Sequence, residues 1–138
     1  MAQGILPDFL VIDDDPVNNK ICNRIIQNTI AGSAVKTFTD PAEGLEHIRA
    51  NYENSDGTKA ILFLDINMPS MTGWDVLAKF EGFTNEVKDR VKIFMLSSSI
   101  DPQDIERASG NPLVTGYVTK SLSKDKLQSA FVDYVRWN

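Results

Sequence analysis

Five short apolar runs divide the chain and constrain its fold more than any other feature: FLVI (9–12), AVKTF (34–38), AILFL (60–64), KIFML (92–96) and VTGYVT (114–119). Each has the length of a strand, and each leads into a stretch with helical spacing of apolar residues. Val17, Ile21, Ile25 and Ile30 mark one face of the first helix, and Leu45, Ile48 and Tyr52 that of the second. Trp74, Leu77 and Ala78 mark the third, and Leu127, Phe131, Tyr134 and Val135 the last. Asp15-Pro16, Asp40-Pro41 and Asp101-Pro102 each set a capping carboxylate before a proline at the first helical position. Asp40 and Glu43 have capping-box spacing. Thr84 marks a short extra helix around 85–90, and NSDGTK (54–59) reads as a turn or loop. Strands alternating with helices predict an α/β fold with a parallel sheet covered on both faces. Right-handed crossovers make it doubly wound. With no linker or repeat, residues 1–138 read as a single domain, and a last helix running almost to Asn138 leaves no output domain after it.

Charge narrows the function. A net charge of −5 and a pI near 4.8 argue against direct nucleic-acid binding, which favours a basic face. No apolar run reaches the roughly 18 residues of a membrane span, and the start, MAQGILPDFL, lacks the features of a signal peptide. A cytoplasmic protein is expected. The single Cys22 excludes an internal disulfide and falls on an apolar helix face, as a small buried thiol does. His47, the only histidine, has no partner for a metal site and reads as a surface or half-buried side chain.

In a doubly wound sheet, ligands bind beyond the carboxyl ends of the strands. Asp13, Asp14 and Asp15 follow the first run, Asp65 the third, Ser97, Ser98 and Ser99 the fourth, and Lys120 the fifth. These side chains converge on one edge, while Asp15 and Asp40 are assigned to capping. Clustered carboxylates repel one another, and a hard dication with oxygen ligands relieves that repulsion. Mg2+ suits the set, because it keeps several waters and needs few protein oxygens. A cation, an ammonium and a hydroxyl around one carboxylate suit phosphoryl transfer to that carboxylate.

VIDDDPVNNK, FLDINMPSMTG, MLSS and GYVTK together resemble the successive motifs of a response-regulator receiver domain, from Phe9 to about Trp137. The resemblance implies a flavodoxin-like (βα)5 three-layer sandwich with strand order 2-1-3-4-5. It implies that Asp65 is the phosphoacceptor in a two-component phosphorelay, receiving phosphate from a histidine kinase or histidine phosphotransfer protein. Asp13 and Asp14 match the acidic pair that holds Mg2+, with Asp14 a direct ligand and Asp13 acting through water. Asp65 and the backbone carbonyl of Asn67 complete the metal set. Ser97 matches the switch hydroxyl, Ser98 the small residue after it, Lys120 the site lysine and Tyr117 the switch aromatic. Met68, Pro69 and Gly73 match the loop after the acceptor, where Pro69 restricts the turn and Gly73 tolerates positive φ. The implied output is a downstream protein reading the face of the fourth main helix, the fifth strand and the fifth main helix. Such a chain is a signalling phosphoacceptor, not an enzyme acting on a separate substrate, although it catalyses its own phosphorylation and slow dephosphorylation. DPVN after the acidic pair resembles receivers attached to hybrid sensor kinases. Ser121 departs from the family, which often has proline after the lysine; a non-proline residue favours a trans bond there.

Two other readings compete. DDDPV also fits the D-x-D-x-V signature of a haloacid-dehalogenase-like phosphohydrolase, with Asp13 as nucleophile and Asp15 as acid/base. That reading leaves Asp65 unexplained, and Asp125 and Asp133 in the last helix make no convincing fourth motif. A receiver-like module that is never phosphorylated usually lacks an acidic, hydroxyl or lysine position, and none is missing here. The last helix, with Phe131, Tyr134 and Trp137, offers either core packing or a partner face.

Overall fold

The computed structural model describes residues 6–53 and 57–135. The five apolar runs become β1 (Asp8–Ile12), β2 (Val35–Phe38), β3 (Ala60–Leu64), β4 (Val91–Ser97) and β5 (Val114–Thr119). Between and after them lie α1 (Pro16–Thr29), α2 (Pro41–Tyr52), α3 (Gly73–Glu81), the short α4 (Asn85–Arg90), α5 (Pro102–Ser109) and α6 (Lys124–Val135). The strands form one sheet in the order β2-β1-β3-β4-β5, with every neighbouring pair parallel. The parallel, doubly wound sheet is what the strand–helix alternation predicts, and its order is the flavodoxin-like one that the resemblance implies.

The two faces of the sheet divide the core. Along each central strand, successive side chains point to opposite sides. Phe9, Val11, Ile61, Phe63, Phe94 and Leu96 pack with Cys22 and Ile26 of α1 and with Leu127 and Ala130 of α6. Leu10, Ile12, Leu62, Leu64, Ile93 and Met95 pack with Leu45, Ile48 and Tyr52 of α2, with Val76, Leu77 and Phe80 of α3, and with Ala108 of α5. All five residues of β3 are buried, as a strand covered on both faces requires.

Capping follows the sequence closely. Asp15, Asp40 and Asp101 accept hydrogen bonds from Val17, Ala42 and Gln103 N–H groups, each at 2.9 Å. The reciprocal capping box forms at Thr72 and Asp75, while Asp40 bonds two residues on and Glu43 stands in the first turn. Thr84 caps α4 as expected.

Two helix faces differ from the apolar spacing, those of α1 and α3, while α6 packs Leu127, Phe131 and Tyr134 on the core as expected. In α1 the buried residues are Asn18, Asn19, Cys22 and Ile26. Val17 is 62% and Ile21 41% exposed, with Ile25 and Ile30 half-buried. In α3 Ala78 is exposed and Val76 takes its place inside. Trp74 is half-buried, with the Arg107 guanidinium 4.5 Å from its ring, a cation–π contact that gives an indole a place at the protein edge. In α6 Leu127 is buried, Phe131 and Tyr134 stack at 5.5 Å, and Trp137 lies outside the described residues, as do 54–56 of the NSDGTK loop. His47 is half-buried between Phe38 and Tyr52, at 5.2 and 6.3 Å between ring centroids.

Candidate functional site

The carboxyl ends of β1, β3 and β5 bring four charged side chains together. Asp65 follows β3, and its N–H donates to the Ile12 carbonyl at 2.9 Å, which sets it beside Asp13 at the end of β1. The carboxylates of Asp13, Asp14 and Asp65 have oxygens within 4.8 Å of one another, the grouping among the described residues able to hold a metal ion. Lys120, after β5, places Nζ 2.7 Å from Asp13 Oδ2 and 3.4 Å from Asp65 Oδ1. Asp13 and Asp65 are buried, and Asp14 is half-buried.

Burial chiefly, with the negative charge of Asp13 added, pushes the Asp65 carboxyl up to about 6. Lys120 and the Ile66 N–H, which donates to Asp65 Oδ1 at 2.9 Å, oppose this without cancelling it. Burial draws the Lys120 ammonium down, but Asp13 and Asp65 override it and hold the group above its ordinary value. The cluster thus has more negative charge than one lysine neutralises. Its donors are all carboxylate oxygens at short spacing, a set that fits a hard dication such as Mg2+.

Asp13 is held from several sides. Its Oδ1 accepts the Asp15 N–H at 2.9 Å, and its Oδ2 accepts Asn18 Nδ2 at 2.8 Å as well as Lys120. Asn19 Nδ2 donates to the Asp13 carbonyl at 3.0 Å. The apolar periodicity of α1 misses both asparagines. The signal available was two adjacent amides one turn beyond an acidic run, one of them in i, i+4 register with Cys22. Cys22 is buried, and burial, then the Asp13 charge, pushes its thiol up to about 11, as an inert cysteine requires.

The serine run sits beside the lysine. Lys120 N–H donates to the Ser97 carbonyl at 2.9 Å. Ser97 is fully buried and Ser98 exposed. Ser97 Oγ accepts the Ser99 N–H at 3.1 Å, and Ser99 Oγ donates to Asp104 of α5 at 2.7 Å. Tyr117 O–H donates to the Ser99 carbonyl at 2.8 Å. Ser97, Tyr117 and the first turn of α5 are therefore joined through Ser99, a link absent from the sequence reading.

The loop after Asp65 departs from one expectation. Gly73 is not among the glycines with positive φ, which are Gly32 and Gly57. Close approach is what requires it: a Cβ there would lie 2.5 Å from the Asp65 carbonyl and 3.0 Å from Ile66 Cα. Met68 is buried, whereas Asn67 and Pro69 are exposed. The Lys120–Ser121 bond is cis, not the trans form favoured for a non-proline residue. Tertiary contacts hold this segment: Lys126 Nζ donates to the carbonyls of Thr119 at 2.7 Å and Ser121 at 3.2 Å. Asp15 is exposed and its carboxylate is engaged at the start of α1, away from the acid/base role of the phosphohydrolase reading.

No helix of the described residues is long and apolar enough to cross a membrane. Among solved structures, a response regulator receiver protein from Dyadobacter fermentans superposes with a TM-score of 0.84 at 22% identity, covering 94% of this chain and 98% of that one. A two-component response regulator from Cytophaga hutchinsonii gives 0.81 at 27% identity, covering 95% and 98%. A Thermotoga maritima response regulator in complex with Mg2+ and BeF gives 0.70 at 24% identity, covering 94% and 99%. Stress response regulator protein 1 of Scheffersomyces stipitis is 32% identical over 69 residues, 50% of this chain and 22% of that protein. The chain therefore matches about a fifth of that curated relative's length. The family model described as the response regulator receiver domain matches residues 9–132. With this sheet order and an acidic cluster at its carboxyl edge, the chain belongs to the response regulator receiver domain family.

Proposed function

We propose that Asp65 accepts a phosphoryl group from a phosphohistidine of a histidine kinase or histidine phosphotransfer protein, in a Mg2+-dependent reaction. An Asp65 carboxylate oxygen attacks phosphorus, the phosphorus–nitrogen bond breaks, and its electron pair returns to the departing imidazole. The product is an aspartyl phosphate. Asp13, Asp14, Asp65 and the Asn67 carbonyl would hold Mg2+, which when bound supplies positive charge to the phosphoryl oxygens. Lys120, already 3.4 Å from Asp65, stabilises the charge on the transferred group. Ser97 moves in to donate a hydrogen bond to a phosphoryl oxygen, and in moving it releases the Ser99 N–H. Tyr117 is bonded to the carbonyl of that same serine, so its position follows. The face of α5, β5 and α6 then shifts toward the form a downstream protein reads. The side chains of Asn67 and Ser99 tune the lifetime of the phosphate by flanking the path of the attacking water. The gathering around Asp65 carries this reading: its carboxylate lies within 4.8 Å of those of Asp13 and Asp14, with the Lys120 ammonium 3.4 Å away. The Mg2+–BeF complex of the Thermotoga maritima relative supports it.

Labelling by acetyl phosphate with Mg2+, followed by peptide mass spectrometry, tests the assignment. Asp65 is expected to carry the phosphate, and Asp65→Asn to abolish labelling. A phosphate on Asp13 would instead support the phosphohydrolase.

A further inference from the structure

We infer that Asn18 and Asn19 are positioning residues that hold Asp13 in the acidic cluster. The contacts stand without the proposed function; their consequence for a cation rests on it.

Helix α1 presents an unexpected face to the protein. Asn18 and Asn19 are 6% and 4% exposed, while Val17 and Ile21 remain in solvent. Turning the helix by about one residue, or roughly 100°, would bring the two apolar side chains inward. What the observed orientation provides is a grip on Asp13, with Asn18 on the carboxylate at 2.8 Å and Asn19 on the backbone carbonyl at 3.0 Å. Asn19 Oδ1 is buried with no hydrogen-bond partner. An amide with half its bonding capacity unmet is a poor choice for stability alone, so the contact it does make explains its place.

The chemistry of the donors matters as well. A neutral amide orients a carboxylate oxygen without adding a second positive charge beside Lys120. Lys120 shares Oδ2 with Asn18. When the ammonium moves toward a phosphoryl group, Asn18 remains to fix that oxygen. The pair thus acts on the metal through Asp13, as the outer partners of metal ligands do, where substitution lowers affinity about 10- to 100-fold.

Two measurements on the full chain test this. Without metal, NMR should show one side-chain amide proton of Asn18 shifted and slow to exchange, and Asp13→Ala should abolish both effects. Calorimetric titration with MgCl2 alone should show Asn18→Ala binding about tenfold more weakly than wild type. Cys22→Ala, which removes the other neighbour of the Asn18 amide at 3.6 Å, should leave the affinity within about twofold, because packing beneath the helix is not the cause. If Asn18→Ala does not fold, Asn18→Ser, whose hydroxyl is too short to reach Asp13, replaces it. A folded Asn18 variant with wild-type Mg2+ affinity would overturn the positioning role. Wild-type protein that fails to bind Mg2+ would overturn the proposed function, and the NMR arm alone would then decide the contacts.

Discussion

Helices α1 and α2 begin alike and end up facing the core for different reasons. Each has an aspartate cap followed by proline, and each crosses from one strand to another. Helix α2 buries Leu45, Ile48 and Tyr52, the stripe its spacing predicts. Helix α1 buries two asparagines and a cysteine with Ile26, and leaves Val17 and Ile21 outside. One helix is oriented by apolar area, worth roughly 1.5–3 kcal/mol for each large side chain buried. The other is oriented by a carboxylate that needs donors. Departures from local rules are expected where function is built, and α1 departs beside the acidic cluster.

The largest expected effect separates the two helices directly. Ile48 in α2 is fully buried, and Ile48→Ala should destabilise by about 2–5 kcal/mol. Ile21→Ala in α1 should cost under about 1 kcal/mol, since that side chain is 41% exposed. Urea unfolding measures both, and a similar loss at the two positions would erase the contrast.

A smaller effect tests what α1 faces. The Asp65 carboxyl is pushed up to about 6, so its ionised form destabilises the metal-free fold. A carboxyl that holds its proton more tightly when folded loses stability as pH rises from about 4 through 6. Asp65→Asn should therefore be more stable than wild type by on the order of 2 kcal/mol at pH 7.5. That gain should shrink as pH falls through 6 and approach zero only near pH 3, below the ordinary aspartate value of 3.8, where wild-type Asp65 is protonated both folded and unfolded. Thermal unfolding of the two proteins across this range without Mg2+ measures it, and a gain independent of pH would contradict the crowding.

The smallest effect compares the caps. Asp40→Ala should cost about 1 kcal/mol. Asp15→Ala loses a similar bond but removes a negative charge next to Asp13 and Asp14, so its net loss should be the smaller. Equal losses in parallel urea titrations would show that the acidic cluster does not reach Asp15.

Much of this architecture can be read before folding because its signals are local. An apolar run, a capping aspartate and a following proline sit within a few residues of one another, and the strand ends follow from them. The gathering of Asp13, Asp14, Asp65 and Lys120 is legible too, since parallel strands point their carboxyl ends one way. The orientation of α1 is not, because periodicity weighs valine and isoleucine and has no account of a carboxylate seeking amide donors. The bonds from Ser99 to Asp104 and from Tyr117 to the Ser99 carbonyl also escape the sequence. They join a loop to a helix and to a strand 18 residues on, and no local pattern marks such a meeting. The glycine at 73 was legible as a requirement and misread in its cause, since φ and steric clearance leave the same letter.

That clearance has a mechanical consequence. With room for nothing larger than hydrogen between position 73 and the Asp65 carbonyl, the start of α3 rests on the peptide that carries the candidate acceptor. Gly73 N–H also donates to the Ile66 carbonyl at 2.7 Å. Strand tip and helix start are packed there without a gap, so a shift of the peptide that carries Asp65 would press directly on the first turn of α3.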